Sequence, residues 1–415
     1  MGELTVIGFS GAELGAEARS ALKTATLVVG GARNLAGVPI PEAARTIQLG
    51  ALEPALEALG KHEGHAVVVA SGDPGFFGVV RRLRAGGLEV DRVIPAISSV
   101  AAAFAAVRLD WDDAAVVSAH GGESNGRRTL RRAVNACLAH PKVAVLTGPR
   151  ATPRDLARSL LAAGLKPNER VIWTAERLGT DEERVLSFDL AEAAQARIEE
   201  PNVVLCLAPV PVREAPGWLA GARAGGLTAA EDPAAALPDE AFEYRDGQIT
   251  KQETRHLVVS QLWPKFGDLI WDLGAGSGSV GIECARRGAA VLAVEKDRES
   301  CERIRRNASR HGGTGLYICT GDAADLATRL PDPDAVFIGG GGIDVLRMVL
   351  DRRPPRIVAT FTSLERASSV LPMLASHGYA AEGLLHQASR LTPLPDGTHR
   401  LAAQNPVFIV WGVLL

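Results

Sequence analysis

Cysteine is scarce and scattered: Cys137, Cys206, Cys284, Cys301 and Cys319 form no CxxC pair in 415 residues, and three of them lie in apolar segments. A disulfide framework needs thiols at paired spacings and a structural zinc site needs clustered ligands, so this pattern speaks against both, and no metal site is expected. Neither sign of charge dominates. With a net charge of -3 and a pI near 6.3, the chain has no basic field to attract nucleic acid, and an anionic ligand has to be held by local Arg and Lys clusters. Long apolar runs are also missing; even Val407 to Leu415 falls short of a membrane span. The start, Met1-Gly2-Glu3-Leu4-Thr5-Val6-Ile7-Gly8, has no basic stretch before its apolar run and reads as a strand entering a turn, not as a signal peptide. The expectation is a cytoplasmic protein without nucleic-acid or membrane partners.

What is present is enough for substantial cores: 47% hydrophobic residues in 43.6 kDa, which predicts two or three domains. From Leu4 to about Ala208, β-branched runs alternate with alanine- and leucine-rich stretches, at Leu4 to Gly8, Ala66 to Ala70, Ala115 to Ser118, Val143 to Thr147, Val171 to Thr174 and Val203 to Leu207. That alternation predicts an α/β domain over 1–208. Residues 209–240 are rich in Pro, Ala and Gly without periodic pattern and read as a linker. A second α/β domain is expected over 241–415, with strands at Leu269 to Leu273, Val291 to Val294, Ala335 to Ile338, Arg356 to Thr360 and Val407 to Trp411. The last of these is a candidate for a reversed final strand after a loop-rich stretch.

The most informative segment is Trp271-Asp272-Leu273-Gly274-Ala275-Gly276-Ser277-Gly278-Ser279, with Ala293-Val294-Glu295 about twenty residues after the glycines, the spacing of a nucleotide-binding β-α-β unit. The glycines permit a tight turn and close backbone approach, and Glu295 at the next strand's tip can accept hydrogen bonds from both hydroxyls of a ribose. Gly276 to Gly281 also satisfies G-x-G-x-x-G, so a dinucleotide such as NAD, and with it an oxidoreductase, is the competing reading. Asp272 shifts the balance toward S-adenosylmethionine, because a carboxylate just before the glycines suits its amino group and repels a pyrophosphate. Thr320-Gly321-Asp322-Ala323 follows Leu316-Tyr317-Ile318-Cys319, where a third strand would present Asp322 to the adenine.

In the first half, Ala66 to Ala70 runs into Ser71-Gly72-Asp73-Pro74-Gly75-Phe76-Phe77-Gly78, a fixed loop at a strand's carboxyl end, where ligands of α/β sheets bind. Asp73 serves either a ligand or the cap of a helix over Val79 to Leu83. Ile94-Pro95-Ala96-Ile97-Ser98-Ser99 offers two hydroxyls and backbone amides, or simply a helix cap.

These two loops, with Val116-Val117-Ser118-Ala119-His120-Gly121, resemble the tetrapyrrole methylase family, which implies a fold of two α/β subdomains with S-adenosylmethionine between them. Phe242 to Glu283, including Asp246-Gly247-Gln248-Ile249-Thr250-Lys251-Gln252-Glu253-Thr254-Arg255, then Phe337 to Gly342 and Asn405-Pro406-Val407, resemble the decarboxylating precorrin methyltransferases of cobalamin biosynthesis, with a class I Rossmann-like fold. In that order the two halves resemble the fused enzymes of the aerobic corrin pathway. The resemblance implies methylation of a precorrin tetrapyrrole at C5 by the first domain, C15 methylation and loss of the ring C acetate carboxylate by the second, two S-adenosylmethionine consumed, and self-association. It carries cofactor contacts to Thr250, Gly274, Ala275, Gly276, Ser277, Gly278, Glu295 and Ala323, with Asp272 and Asp322 beside them, and in the first domain to Gly72, Asp73, Pro74, Ser98 and Ser99, with Thr147-Gly148 as a further candidate. Two departures stand in the first domain: Gly8-Phe9-Ser10-Gly11-Ala12 lacks the usual Gly-Pro-Gly turn, and Gly121-Gly122-Glu123 lacks an arginine after His-Gly. They leave open a catalytically silent first domain acting as a binding module.

Substrate carboxylates call for Arg and Lys. Candidates are Lys251 and Arg255, Arg390, His399 and Arg400 in a late loop, and Arg127, Arg128, Arg131 and Arg132 for the first domain, the last two of which equally suit a helix flank. Glu365 is a candidate for proton steering near ring C or for helix capping in Thr362-Ser363-Leu364-Glu365. His120 and His399 are the two histidines in relevant loops.

Overall fold

The computed structural model describes residues 2–50, 52–120, 126–209, 236–311, 313, 315–340 and 342–415. The first five strands, β1 (Leu4–Phe9), β2 (Leu27–Gly30), β3 (Arg45–Gln48), β4 (Ala66–Ser71) and β5 (Arg92–Ile94), form a parallel sheet in the order β3-β2-β4-β1-β5. Their aliphatic runs are buried on both faces, as a parallel sheet covered by helices requires. A second sheet follows: β6 (Ala115–Ser118), β7 (Lys142–Leu146), β8 (Val171–Glu176), β9 (Arg184–Phe188) and β10 (Asn202–Leu207), in the order β6-β7-β10-β8-β9. Here β6 and β7 are parallel while β10 runs against both β7 and β8. The helix Ser99–Val107 packs Val100, Ala103 and Phe104 onto Val203 and Leu205 of this sheet.

The third sheet has seven strands, β11 (Leu269–Leu273), β12 (Ala290–Glu295), β13 (Leu316–Thr320), β14 (Ala335–Ile338), β15 (Arg356–Phe361), β16 (Tyr379–His386) and β19 (Val407–Leu414), in the order β13-β12-β11-β14-β15-β19-β16. Strand β19 is antiparallel to β15, so the reversed final strand expected from sequence is present. The register places Leu273 beside Val294 and Ile338, and Val294 beside Cys319. Consequently Gly274, Glu295, Thr320 and Gly339 lie side by side along the carboxyl edge of the sheet.

The stretch expected as a late loop is instead a hairpin, β17 (Ser389–Pro393) and β18 (His399–Ala403), turning at Leu394–Thr398. Its exposed leucines Leu391 and Leu401 pair across the strands, a contact that no burial pattern announces. Part of the expected linker also belongs to the second domain: Leu237 packs with Phe242 and Ile282, and Asp239 is buried.

The two domains share a core. The helix Gly126–Ala139 buries Ala133, Val134, Cys137 and Leu138 in one apolar cluster with Leu269, Trp271, Leu292 and Val336 of the third sheet. Polar groups fix this seam. Arg131 pairs with Asp334, Asn135 Nδ2 donates to the Gly267 carbonyl at 3.1 Å, and Tyr317 Oη donates to the Leu138 carbonyl at 2.8 Å while accepting from Arg170 at 2.8 Å.

Candidate functional site

In the second domain the chain leaves β11 into a turn with three glycines in the left-handed region, Gly274 at φ 72°, Gly276 at 57° and Gly278 at 74°. At Gly274 this freedom is compounded by crowding, because a Cβ there would stand 2.9 Å from the Gly340 Cα in the loop after β14. The two glycine loops thus touch at the backbone. The loop's own amides are largely committed: Gly274 and Ala275 donate to the Val294 carbonyl at 3.0 and 3.1 Å, Gly278 to the Ala275 carbonyl at 2.7 Å, and Gly276 to Glu295 Oε2 at 2.9 Å. The other Glu295 oxygen accepts from the Lys296 and Asp297 amides at 2.9 and 3.0 Å. Ser277 is buried, and its carbonyl accepts from Asn307 Nδ2 at 2.9 Å.

Asp272, at the end of β11, is 1% exposed. One carboxylate oxygen, Oδ2, accepts from the Gly281 amide at 2.9 Å, while Oδ1 is buried with no partner. Burial raises its pKa to about 7, the Gly281 hydrogen bond working against that shift and the nearby Glu295 charge adding to it. A buried carboxylate with one oxygen unmatched asks for a cationic donor. Asp322 begins the short helix Ala323–Ala327, accepting from the Ala324 amide at 2.9 Å, and is otherwise exposed. Carboxylates therefore stand at three adjacent strand tips, β11, β12 and β13.

Of the substrate-holding candidates, Arg255 is corrected by the structure. Its guanidinium is 1% exposed and is occupied by Asp239 at 3.3 Å, Glu283 at 3.5 Å and the Thr250 carbonyl at 2.6 Å, with the Leu237 carbonyl also bound. It ties the chain before the helix Gln252–Leu262 to the helix Ser279–Arg286, a structural duty that leaves no donor fork for substrate. Arg390, on β17, is likewise engaged, with Glu253 at 2.7 Å and Asp239 at 3.0 Å. Its guanidinium holds the Glu253 carboxyl down to about 2. Sequence reasoning missed Asp239 and Glu253, the acidic partners that make this network; two cations expected near each other in a globular fold were the available signal. Lys251 remains half-exposed over the Tyr244 ring at 5.3 Å, with Asp239 at 3.9 Å. Glu365 lies exposed in the first turn of the helix Leu364–Ser376, accepting from the Ser363 hydroxyl at 2.6 Å, while Ser363 is the cap. Proton steering by Glu365 thus has no supporting contact. His399 and Arg400 are exposed on β18.

In the first domain, Gly72 at φ 61° sits where three loops meet: a Cβ on Gly8 would stand 2.2 Å from the Gly72 carbonyl oxygen and 2.5 Å from the Ala96 amide. Asp73 does not cap the following helix, whose first flanking residue is Gly78; its Oδ1 accepts from the Gly75 amide at 2.8 Å and fixes the turn, with Pro74 buried behind it. Ser98 caps the helix Ser99–Val107 through the Ala101 amide at 3.1 Å, whereas Ser99 is exposed. The segment lacking the Gly-Pro-Gly turn makes a close glycine crossing that the sequence did not reveal. Gly11 at φ 90° crosses Gly179 at φ 76°, where a Cβ on Gly179 would stand 2.1 Å from the Ser10 carbonyl oxygen. That crossing joins the end of β1 to the loop after β8. His120 Nδ1 lies 3.3 Å from the Thr147 carbonyl, beside Gly148. Thr147 itself donates to Asn202.

Next to the Gly72–Gly75 turn opens a cavity of about 660 Å³ walled by Phe76, Phe77, Trp111, Ala114 and Val116, with Asp110 and Asp112 at its rim. Asp110 and Asp113 are paired with the buried Lys142 at 3.1 and 2.6 Å, so this acidic group already holds a cation of the protein's own. Arg131 belongs to the domain seam, Arg128 and Arg132 are exposed, and the Arg127 side chain and residues 121–123 lie outside the described residues.

Two families match this chain in succession: Tetrapyrrole (Corrin/Porphyrin) Methylases over residues 9–194 and Precorrin methyltransferase domain over residues 240–411. A "Precorrin-6Y C(5,15)-methyltransferase [decarboxylating]" from Sinorhizobium sp is 38% identical over 354 residues, 82% of this chain and 78% of that protein. A protein of the same name from Mycobacterium tuberculosis is 30% identical over 386 residues, 89% and 88% of the two chains. A "Probable cobalt-precorrin-6B C(15)-methyltransferase (decarboxylating)" from Pyrobaculum calidifontis is 30% identical over 187 residues, covering 42% of this chain and 93% of its own. With both halves matched in this order and relatives alike along most of their length, the chain belongs to the family of precorrin-6Y C(5,15)-methyltransferases (decarboxylating).

Proposed function

We propose that this chain uses S-adenosylmethionine to methylate precorrin-6B at C5 in its first domain and at C15 in its second, where the ring C acetate also loses carbon dioxide, giving precorrin-8X. The observation that carries the cofactor reading is the cleft at the tips of β11 and β12: committed loop amides leave little to cradle a pyrophosphate, while the unmatched Asp272 Oδ1 fits a cationic amino group. When bound there, S-adenosylmethionine supplies an electrophilic methyl on a sulfonium. The residues' part is placement. Glu295, pinned between the glycine turn and the Lys296 and Asp297 amides, presents its remaining lone pairs where ribose hydroxyls would meet them, and Asp272 fixes the amino acid end.

A meso carbon between reduced pyrrole rings is enamine-like, so it supplies the electron pair of the new bond and then loses its proton; no strong base is needed. Loss of carbon dioxide leaves the pair of the broken bond in the conjugated ring, and it returns when the former acetate carbon takes up a proton. Lys251, half-exposed beside Thr250, and Arg400, exposed on β18, are cations that could meet substrate carboxylates in the second domain. In the first domain, Gly72, Asp73, Pro74, Ser98 and Ser99 would hold the cofactor, and the Phe76, Phe77 and Trp111 wall offers an apolar face to the macrocycle.

The test is conversion of precorrin-6B by purified protein with S-adenosylmethionine, read by mass. A product heavier by two methyls and lighter by one carbon dioxide is expected. Product with one methyl only, together with a single S-adenosylhomocysteine site per chain by calorimetry, would overturn the assignment of chemistry to the first domain.

A further inference from the structure

We infer that the hairpin β17–β18 is a wall of the substrate seat in the second domain, that its Arg400 holds a carboxylate of the macrocycle, and that Glu253 is the positioning residue that sets this wall in place. This deepens the proposed C15 methylation and decarboxylation and rests on that reading.

The hairpin springs from the edge of the sheet that carries the glycine turn. Phe408 pairs with Phe361 at the end of β15, and Val407 with His386 at the end of β16. Both roots of the hairpin therefore stand at the carboxyl edge, past the level of Ile338 and Ala359. The helix Gln252–Leu262 begins at the same edge. Its far end is marked by Trp263, whose carbonyl accepts at 3.3 Å from Arg356, the first residue of β15. Its 11 residues rise about 16 Å, as far as a five-residue strand such as β11 runs. Val258, Val259 and Leu262 seat it on Ile270, Phe337, Val358 and Ile409 of the sheet. Thr250 and Lys251, just before the helix, thus share the carboxyl edge with the Gly274–Gly340 contact.

One carboxylate joins the hairpin to this helix. Arg390 meets Glu253 through both arms of its fork, Nε to Oε1 at 2.7 Å and Nη2 to Oε2 at 2.9 Å, and Gln404 Nε2 donates to Oε2 at 3.2 Å. Arg390 Nη2 also donates to Asp239 Oδ2 at 3.0 Å, the oxygen that lies 3.9 Å from Lys251 Nζ. Cross-strand pairing fixes what else faces that way. Arg390 stands opposite Ala402 and Thr392 opposite Arg400, and residues two apart on a strand share a face. Arg400 therefore projects from the face that Arg390 and Gln404 turn toward Glu253, one pair farther out, while Leu391 and Leu401 take the opposite face. Arg400 is exposed, with no hydrogen bond or ion pair among the described residues. Its planar fork suits a carboxylate, and the fork of Arg390 on Glu253 fixes direction as well as distance. A lone two-stranded hairpin is marginal in water, so the hairpin's place depends on this clamp, whereas the core under the helix does not.

Steady-state kinetics of the full chain with precorrin-6B test this, carbon dioxide release reporting the second site and C5 methylation the first. Glu253→Gln keeps the shape of the side chain and removes its charge. It should raise KM for carbon dioxide release about tenfold, the worth of one charged hydrogen bond. The turnover rate should stay nearly unchanged, as loss of binding shared by ground and transition states requires. S-adenosylhomocysteine affinity at the second site and KM at the first should stay as they are. Arg400→Ala, at an exposed position, should raise the same KM by a similar factor and Arg400→Lys by less. Combining Glu253→Gln with Arg400→Ala should cost no more than Arg400→Ala alone, because a residue acting through another adds nothing once that other is gone. An unchanged KM in Arg400→Ala, or factors that multiply in the double variant, would overturn the assignment. So would weakened S-adenosylhomocysteine binding in Glu253→Gln, or a change in its mass by light scattering, which would give the clamp to the cofactor or to contact between copies of the chain. Absence of methyl transfer and carbon dioxide release in the unaltered protein would instead sink the functional reading itself.

Discussion

On the proposed function, the two clefts take the same ligand by opposite means. In the second domain, carboxylates stand at the tips of β11, β12 and β13, one of them buried with an unmatched oxygen. In the first, the side chains at the cleft are neutral or self-satisfied: Asp73 closes its own turn and Ser98 caps its own helix. A sulfonium amino acid can therefore be recognised by charge in one domain and by backbone and hydroxyl contacts in the other. Charge recognition inside a fold carries a cost that neutral recognition avoids, because the empty site holds a carboxylate away from water. The difference predicts that the second site responds to pH and charge substitution while the first responds to shape.

The largest effect should come from breaking the backbone contact of the second cleft. A valine at Gly274 must adopt φ 72° and push its Cβ against Gly340, so Gly274→Val should lower C15 methylation and carbon dioxide release by about a hundredfold or more, as misplacement of a reacting group does. C5 methylation by the same protein should persist. Loss of both activities at equal amounts of folded protein would erase the independence of the clefts. Glu295→Ala comes next. Removing a charged acceptor shared by the Gly276 amide and the ribose should cost about 1.5–3 kcal/mol of binding, ten- to a hundredfold in affinity for S-adenosylhomocysteine at the second site. Calorimetry should register one weakened and one unchanged site.

The second cleft was legible in sequence because its chemistry is local: turn, acidic tip and spacing all sit within one β-α-β unit, and β11 and β14 have the expected bounds. Strands without β-branched runs were not. Strand β16, Tyr-Ala-Ala-Glu-Gly-Leu-Leu-His, has helical composition and is held as a strand by pairing with β19. The roles of Arg255 and Arg390 were misread for a related reason. Their partners, Asp239 and Glu283 for one and Asp239 and Glu253 for the other, include residues distant in sequence, and a cation's occupancy is a property of the folded neighbourhood. The seam on the helix Gly126–Ala139 was likewise invisible, since an apolar helix face does not say which domain it will cover.

A smaller but sharper effect concerns protons. Asp272 is raised to about 7 by burial, above its ordinary 3.8. In the ligand-free protein its protonated form is therefore favoured below about pH 7, and the stability that protonation gives is fully present below about pH 4 and is lost as pH rises through about 7. A cationic ligand prefers the carboxylate, so binding must expel the proton. Affinity of S-adenosylmethionine for the second site should climb between pH 5 and about pH 7, by at most about tenfold per pH unit, and then level. Asp272→Asn should flatten that profile. The first site, measured in a Gly274→Val background, should show no such climb; a matching climb there would remove the contrast between the clefts.

The smallest effects separate capping from contact in the first cleft. Ser98 spends its hydroxyl on the Ala101 amide, so Ser98→Ala should destabilise the first domain by about 1 kcal/mol, the usual cost of losing a helix cap, visible as a lower thermal midpoint. Ser99 is exposed, and its hydroxyl has no hydrogen bond among the described residues; Ser99→Ala should leave stability within about 0.5 kcal/mol. If that free hydroxyl meets the ligand, Ser99→Ala should weaken S-adenosylhomocysteine at the first site by about fivefold, one neutral hydrogen bond's worth, with the second site untouched. An unchanged first-site affinity would assign recognition in that cleft to its backbone alone, and would make the contrast with the carboxylate-lined cleft sharper still.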